Sequence, residues 1–169
     1  MTAERTRRSS GTDRRTVVLK ATGLGKDYDD RPALLPLDLS VERGEQIALV
    51  GHNGSGKSPF LKMAAGVLTP TEGTITVMGE AVASIPARAA LSYLADTPTF
   101  YDDLSVWEHL EYVARLHGVT SWEQTASDLL GHLGIFERAD DLPTTFSRGL
   151  RQKAAIASHH RQTSRNSAP

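Results

Sequence analysis

Gly51-His52-Asn53-Gly54-Ser55-Gly56-Lys57-Ser58 has the form G-x-x-x-x-G-K-[ST], the phosphate-cradling P-loop. Before it, Gln46-Ile47-Ala48-Leu49-Val50 is a short apolar run that suits a buried parallel strand. After it, Phe60-Leu61-Lys62-Met63-Ala64-Ala65 are good helix formers, stopped by Gly66. The glycines thus fall at a strand-to-helix junction. Such a junction bends tightly, brings backbone N–H groups against phosphate oxygens and adds the dipole of a helix N-terminus. Lys57 is placed to reach the β- and γ-phosphates, and the Ser58 hydroxyl to ligate Mg²⁺.

Pro59 disturbs this loop. It has no N–H, so one phosphate donor is missing, and it biases Ser58 away from helical backbone. Proline is tolerated in a first helical turn. The expectation is weakened, not abolished, nucleotide binding.

A chain of 169 residues is long enough to bury a core. Its net charge of -1 argues against an electrostatic grip on nucleic acid. It has no Cys, so no disulfide framework and no thiolate chemistry. No run approaches the ~18 apolar residues of a membrane span, and the charged N-terminus lacks the apolar segment of a signal peptide. Residues 1–15 are polar and Arg-rich and read as a disordered tail rather than a nucleic-acid or lipid-contacting arm.

Thr16-Val17-Val18-Leu19-Lys20 and Leu37-Asp38-Leu39-Ser40-Val41 read as strands. Tyr28, between them, is either a packed edge aromatic or a stacking platform for an adenine ring. Thr74-Ile75-Thr76-Val77-Met78 and Leu91-Ser92-Tyr93-Leu94 read as further strands. The chain then turns helical. Ser105-Val106-Trp107-Glu108 is a capping box, followed by a stripe of Val106, Leu110, Val113 and Leu116 and a stop at Gly118. Ser121-Trp122-Glu123-Gln124 reads as a second capping box, opening a helix with Leu129, Leu130 and Leu133. His109, His117 and His132 are too dispersed for a metal set and read as surface or partly packed residues.

Phe146-Ser147-Arg148-Gly149-Leu150-Arg151-Gln152-Lys153 resembles the signature loop of ATP-binding cassette (ABC) ATPases, L-S-G-G-Q, with Arg148 at the third place. The order of segments is also similar to that family: Tyr28 at its adenine-stacking aromatic, the P-loop, Asp96 at its Q-loop glutamine, a helical insert, then the signature. The resemblance runs from Val17 to Ala157 and within the family leans to bacterial export-type subunits.

The resemblance implies an α/β fold: a P-loop NTPase core with an N-terminal antiparallel β subdomain and a helical insert over about residues 104–147. It implies ATP and Mg²⁺ as ligands. Tyr28, Gly51, Asn53, Gly54, Ser55, Gly56, Lys57 and Ser58 would bind nucleotide, with Ser58 and Asp96 near the metal. Ser147, Arg148, Gly149 and Leu150 would act in trans, on ATP held by a second subunit in a head-to-tail dimer. The implied role is the ATP-binding subunit of a transporter. It would be cytoplasmic, held at the inner face of the membrane by a separate permease, and would couple ATP hydrolysis to export.

Two features depart from the family. Asp96 replaces the usual glutamine. After the signature, the family's apolar strand ending in Asp-Glu has no counterpart: Ser158 to Pro169 carries no acidic residue and no apolar periodicity. Residues 16–157 therefore read as a partial nucleotide-binding domain, truncated before Walker B, with an incomplete C-terminal part of the sheet and an aberrant tail over 158–169. No catalytic acid is assigned, and the chain alone is expected to be hydrolysis-deficient. The alternative is a truncated cassette fragment that only binds nucleotide or an intact partner. A soluble ABC-type ATPase acting on DNA or ribosomes fits the near-neutral charge poorly.

Overall fold

The two β-prone runs that bracket Tyr28 extend toward each other until they meet in a tight turn. In the computed structural model, which describes residues 2–7, 16–29 and 31–159, they are β2 (Val17–Tyr28) and β3 (Arg31–Glu42). Asp29 turns the chain with φ of +46°, a conformation Asp tolerates better than most residues. The register of β2 shifts around Gly23 and Gly25 against both of its neighbours. Gly23 has φ of +54°, and its N–H donates to Asp38 Oδ1 at 2.7 Å across the ladder.

The chain divides into two units, Met1–Leu91 and Ser92–Pro169. In the first, β3, β2, β5 (Glu72–Val77) and β6 (Glu80–Ala81) form an antiparallel sheet in that order. Helix α1 (Lys57–Ala64) packs on it through Phe60, Met63 and Ala64, against Leu24, Leu34, Leu39, Ile75 and Val77. Helix α2 (Ile85–Ala90) was not expected. It starts on Ser84, whose hydroxyl accepts from Ala87 N–H at 3.2 Å, with a proline in its first turn.

Two expectations for this unit are corrected. Thr2–Arg7 is not a disordered tail but a strand, β1, paired antiparallel with β4 (Glu45–Val50) from Thr2↔Val50 to Arg7↔Glu45. Residues 8–15 lie outside the described residues. Conversely, β4 is not a buried parallel strand. Ile47 and Leu49 pack toward the core while Ala48 and Val50 stay exposed, so it alternates like a strand covered on one face. All ladders among the described residues are antiparallel.

The second unit is helical. Leu91-Ser92-Tyr93-Leu94 is irregular rather than a strand, because no strand among the described residues pairs with it. Helix α3 (Val106–Leu116) has the expected capping box: Ser105 Oγ accepts from Glu108 N–H at 3.2 Å, and Glu108 Oε2 accepts from Ser105 N–H at 2.7 Å. Its buried stripe is Val106, His109, Leu110 and Ala114. Leu116, about 80° round the helix from Val106, is exposed.

Helix α4 (Glu123–Leu133) starts one residue later than expected, with Trp122 rather than Ser121 at its cap. Burying the Trp122 indole against Trp107, ring centroids 5.0 Å apart, fixes the chain entry more strongly than a Ser cap. Gly134 ends α4 with φ of +65°. Short 3-10 turns at Phe136–Arg138 and Pro143–Thr145 lead to α5 (Arg148–His159), buried through Ala154, Ala155 and Ala157. The expected break after Ala157 is corrected: Ser158 and His159 continue α5, with Ser158 Oγ donating to Ala154 O at 3.0 Å. Residues 160–169 lie outside the described residues.

Candidate functional site

Gly54 (φ +82°) and Gly56 (φ +88°) carry the turn from β4 into α1. Only Gly56 is also crowded: a Cβ there would meet Leu34 Cδ1 at 2.5 Å and the Ala33 carbonyl oxygen at 2.9 Å. Ser55 N–H donates to His52 O at 3.2 Å and closes the loop. Gly56 gives α1 no side-chain cap, so the first-turn N–H groups are left for an anion.

Lys57 Nζ folds back into this loop, donating to Gly51 O at 2.7 Å, His52 O at 2.8 Å and Ser55 Oγ at 3.3 Å. All three ammonium donors are engaged by loop oxygens, in the place a phosphate oxygen would take them. His52 Nδ1 lies 2.7 Å from Asn53 O; a carbonyl only accepts, so Nδ1 carries the hydrogen. Ser58 is exposed and helical. The expected displacement of Ser58 by Pro59 is thus corrected: Pro59 sits in the first turn of α1, where its ring is tolerated and its missing N–H would have had no intrahelical partner.

Tyr28 ends β2 half exposed, with Lys26 Nζ 5.2 Å over its ring centroid. The two side chains share one strand face by their i, i+2 spacing. Sequence reasoning had the signal for this pair and missed it.

In the second unit, Ser147 caps α5. Its Oγ accepts from Leu150 N–H at 3.4 Å, and its carbonyl accepts from Arg151 N–H at 2.9 Å. Gly149 faces open space. Arg148 Nη2 donates to Asp96 Oδ1 at 3.0 Å, and both side chains are 85% accessible. Asp96, Thr97, Pro98, Arg148 and Arg151 line a shallow depression of about 370 Å³. Asp96 and the signature are therefore brought together, as are the residues of the P-loop among themselves.

His109, expected at or near the surface, is buried. Its Nδ1 donates to Ser105 O at 2.7 Å and its Nε2 accepts from Tyr101 N–H at 2.9 Å. It staples the segment before α3 to that helix and is not a metal ligand candidate. No group of three or more His, Asp or Glu among the described residues could hold a metal ion.

The ABC transporter family profile matches residues 34–164, across both the P-loop and the signature. The chain belongs to the ABC transporter family. It is similar to the cytochrome c biogenesis ATP-binding export protein CcmA of Cupriavidus pinatubonensis, 37% identical over 142 residues, covering 83% of this chain and 63% of that protein. It is 30% identical to the ABC-type transporter ATP-binding protein EcsA of Bacillus subtilis, covering 82% of this chain and 58% of that protein. A solved structure described as the ATP binding subunit of an ABC transporter superposes with a TM-score of 0.76 at 32% identity, covering 84% of this chain and 61% of that one. The chain thus spans less than two thirds of the length of each.

As an ABC chain, its observed fold is the expected α/β class: an antiparallel β part, a P-loop helix and a helical part ahead of the signature helix. No helix among the described residues is long and apolar enough to cross a membrane.

Proposed function

We propose that this chain is an ATP-binding subunit of an ABC exporter, holding ATP·Mg²⁺ on the Gly51–Ser58 loop. The observation that carries this reading is Lys57 Nζ, poised on the Gly51 and His52 carbonyls beside an uncapped helix start. Phosphate oxygens replace those carbonyls as acceptors, and the N–H groups of Gly54, Gly56 and Lys57 serve as further donors. Gly51, Asn53 and Ser55 shape the loop, and Tyr28 offers its half-exposed ring to the adenine.

The residues fit the metal only in part. The exposed Ser58 hydroxyl would be one ligand, with the other oxygens supplied by phosphates and water. Residues 142–169 offer no carboxylate to orient an attacking water. Residues 16–157 by themselves therefore bind nucleotide and turn it over little.

Ser147, Arg148, Gly149 and Leu150 complete a site in trans on a second ABC subunit, in a head-to-tail dimer, and an integral membrane permease holds the pair at the inner face of the membrane. A naming parallel with the export protein CcmA favours export over import. The test is titration with a fluorescent ATP analogue and Mg²⁺. Binding by wild type and loss of about 10- to 100-fold in Lys57→Ala, the weight of a charge-assisted contact, supports the reading. Equal binding by both proteins would sink it.

A further inference from the structure

The Arg148–Asp96 pair joins two positions at which this chain differs from the family motifs: an arginine at the third place of the signature and a carboxylate at the Q-loop glutamine. Each alone changes local charge; together they are neutral and in contact. We propose that Asp96 is a positioning residue for Arg148, a latch that ties the segment before the helical insert to the start of α5 and is released when phosphate takes Arg148. The inference rests on the proposed role of the signature.

The geometry sets the strength of the latch. The contact is a single 3.0 Å hydrogen bond between side chains that are both 85% accessible. Exposed pairs of this kind shift an equilibrium by no more than about fivefold. A polyphosphate carries more charge and accepts from a guanidinium fork bidentately, so it outcompetes one carboxylate oxygen. Arg151, which lines the same depression, donates its Nε–H to Phe146 O at 3.2 Å. When Arg148 leaves, Asp96 loses its partner, and the stretch Asp96-Thr97-Pro98 is freed from α5. Phosphate arrival at the signature is thereby communicated to the loop that leads into the helical insert of the same chain. In this arrangement Asp96 acts through Arg148 and not through the metal.

The test uses the full chain, isotope-labelled, with NMR of the Arg148 side-chain N–H, the Thr97 amide and the Gly51–Ser58 amides. The probes are inorganic tripolyphosphate, Mg²⁺ alone, and ATP with Mg²⁺. Tripolyphosphate is expected to move Arg148 and Thr97 together in wild type. Asp96→Asn, which removes the competitor, tightens the response at Arg148 by about two- to fivefold. Arg148→Gln abolishes the Thr97 response, and the charge swap Asp96→Arg with Arg148→Asp restores the contact between the two segments. A structural role for Asp96 predicts the opposite sign, weaker binding in Asp96→Asn. That result, or a Thr97 amide that follows Mg²⁺ alone, overturns the inference. So does a Thr97 amide that stays still while Arg148 responds. Failure of the nucleotide-binding reading is separate: ATP would then leave the Gly51–Ser58 amides unmoved, whereas the tripolyphosphate comparison still decides the latch.

Discussion

His109 Nε2 accepts the backbone N–H of Tyr101 at 2.9 Å, while its Nδ1 donates to Ser105 O from the other side of the ring. Phe100 packs edge-on against the same ring, centroids 5.2 Å apart. His109→Leu strands the Tyr101 N–H and leaves the Ser105 carbonyl only the backbone N–H of residue 109, and should destabilise the helical unit by about 1–3 kcal/mol. Urea unfolding followed by Trp107 and Trp122 fluorescence measures it; a change under about 0.5 kcal/mol would mean the staple carries no stability.

The glycines of the loop differ in what surrounds them. Gly54→Ala meets open space and incurs only the left-handed backbone penalty, about 1–2 kcal/mol. Gly56→Ala also drives a Cβ into Leu34 and the Ala33 carbonyl, and should cost at least about 1 kcal/mol more. Thermal unfolding of the two variants side by side tests the ranking.

Pro59 removes a donor from the first turn of α1. Pro59→Thr should tighten ATP binding by about two- to tenfold, the weight of one added hydrogen bond. Calorimetric titration in both proteins reads the difference, and an unchanged affinity would show that the missing N–H faces no phosphate.

The Ser105 N–H donating to Glu108 holds that carboxyl below its ordinary value of 4.5. A depressed folded-state value means stability that is present above about pH 4.5 and lost as pH falls through the lower folded value. Wild type should therefore exceed Glu108→Ala in stability at pH 7, and the gap should close as acid protonates the carboxylate. Unfolding midpoints of both proteins between pH 7 and 3 check the sign; a gap that widens in acid would refute it.

Local signals were legible in the sequence. Ser105 and Glu108 lie three residues apart, and their reciprocal bonds need nothing distant. The loop glycines likewise announced their left-handed backbone. The failures have a common cause, competition from distant partners. Trp122 takes the cap position because Trp107 offers it a buried face. Strand β4 shows two faces because its partner is Thr2–Arg7, whose composition resembles a tail. His109 is internal because Tyr101 and Ser105 together satisfy both ring nitrogens, a coincidence no helical period encodes. Neither Asp96 nor Arg148 signals the other across the chain.

The β1–β4 ladder has a kinetic consequence. The β2–β3 hairpin closes around a turn of adjacent residues, so it can form early. Thr2 must instead wait for Val50, the residue just before the phosphate loop. Closing the long loop between Thr2 and Val50 is slower than closing the hairpin, so β1 finds its partner after β2 and β3 have paired. The strand that leads into the nucleotide cradle stays unzipped until the two ends of that long chain segment meet.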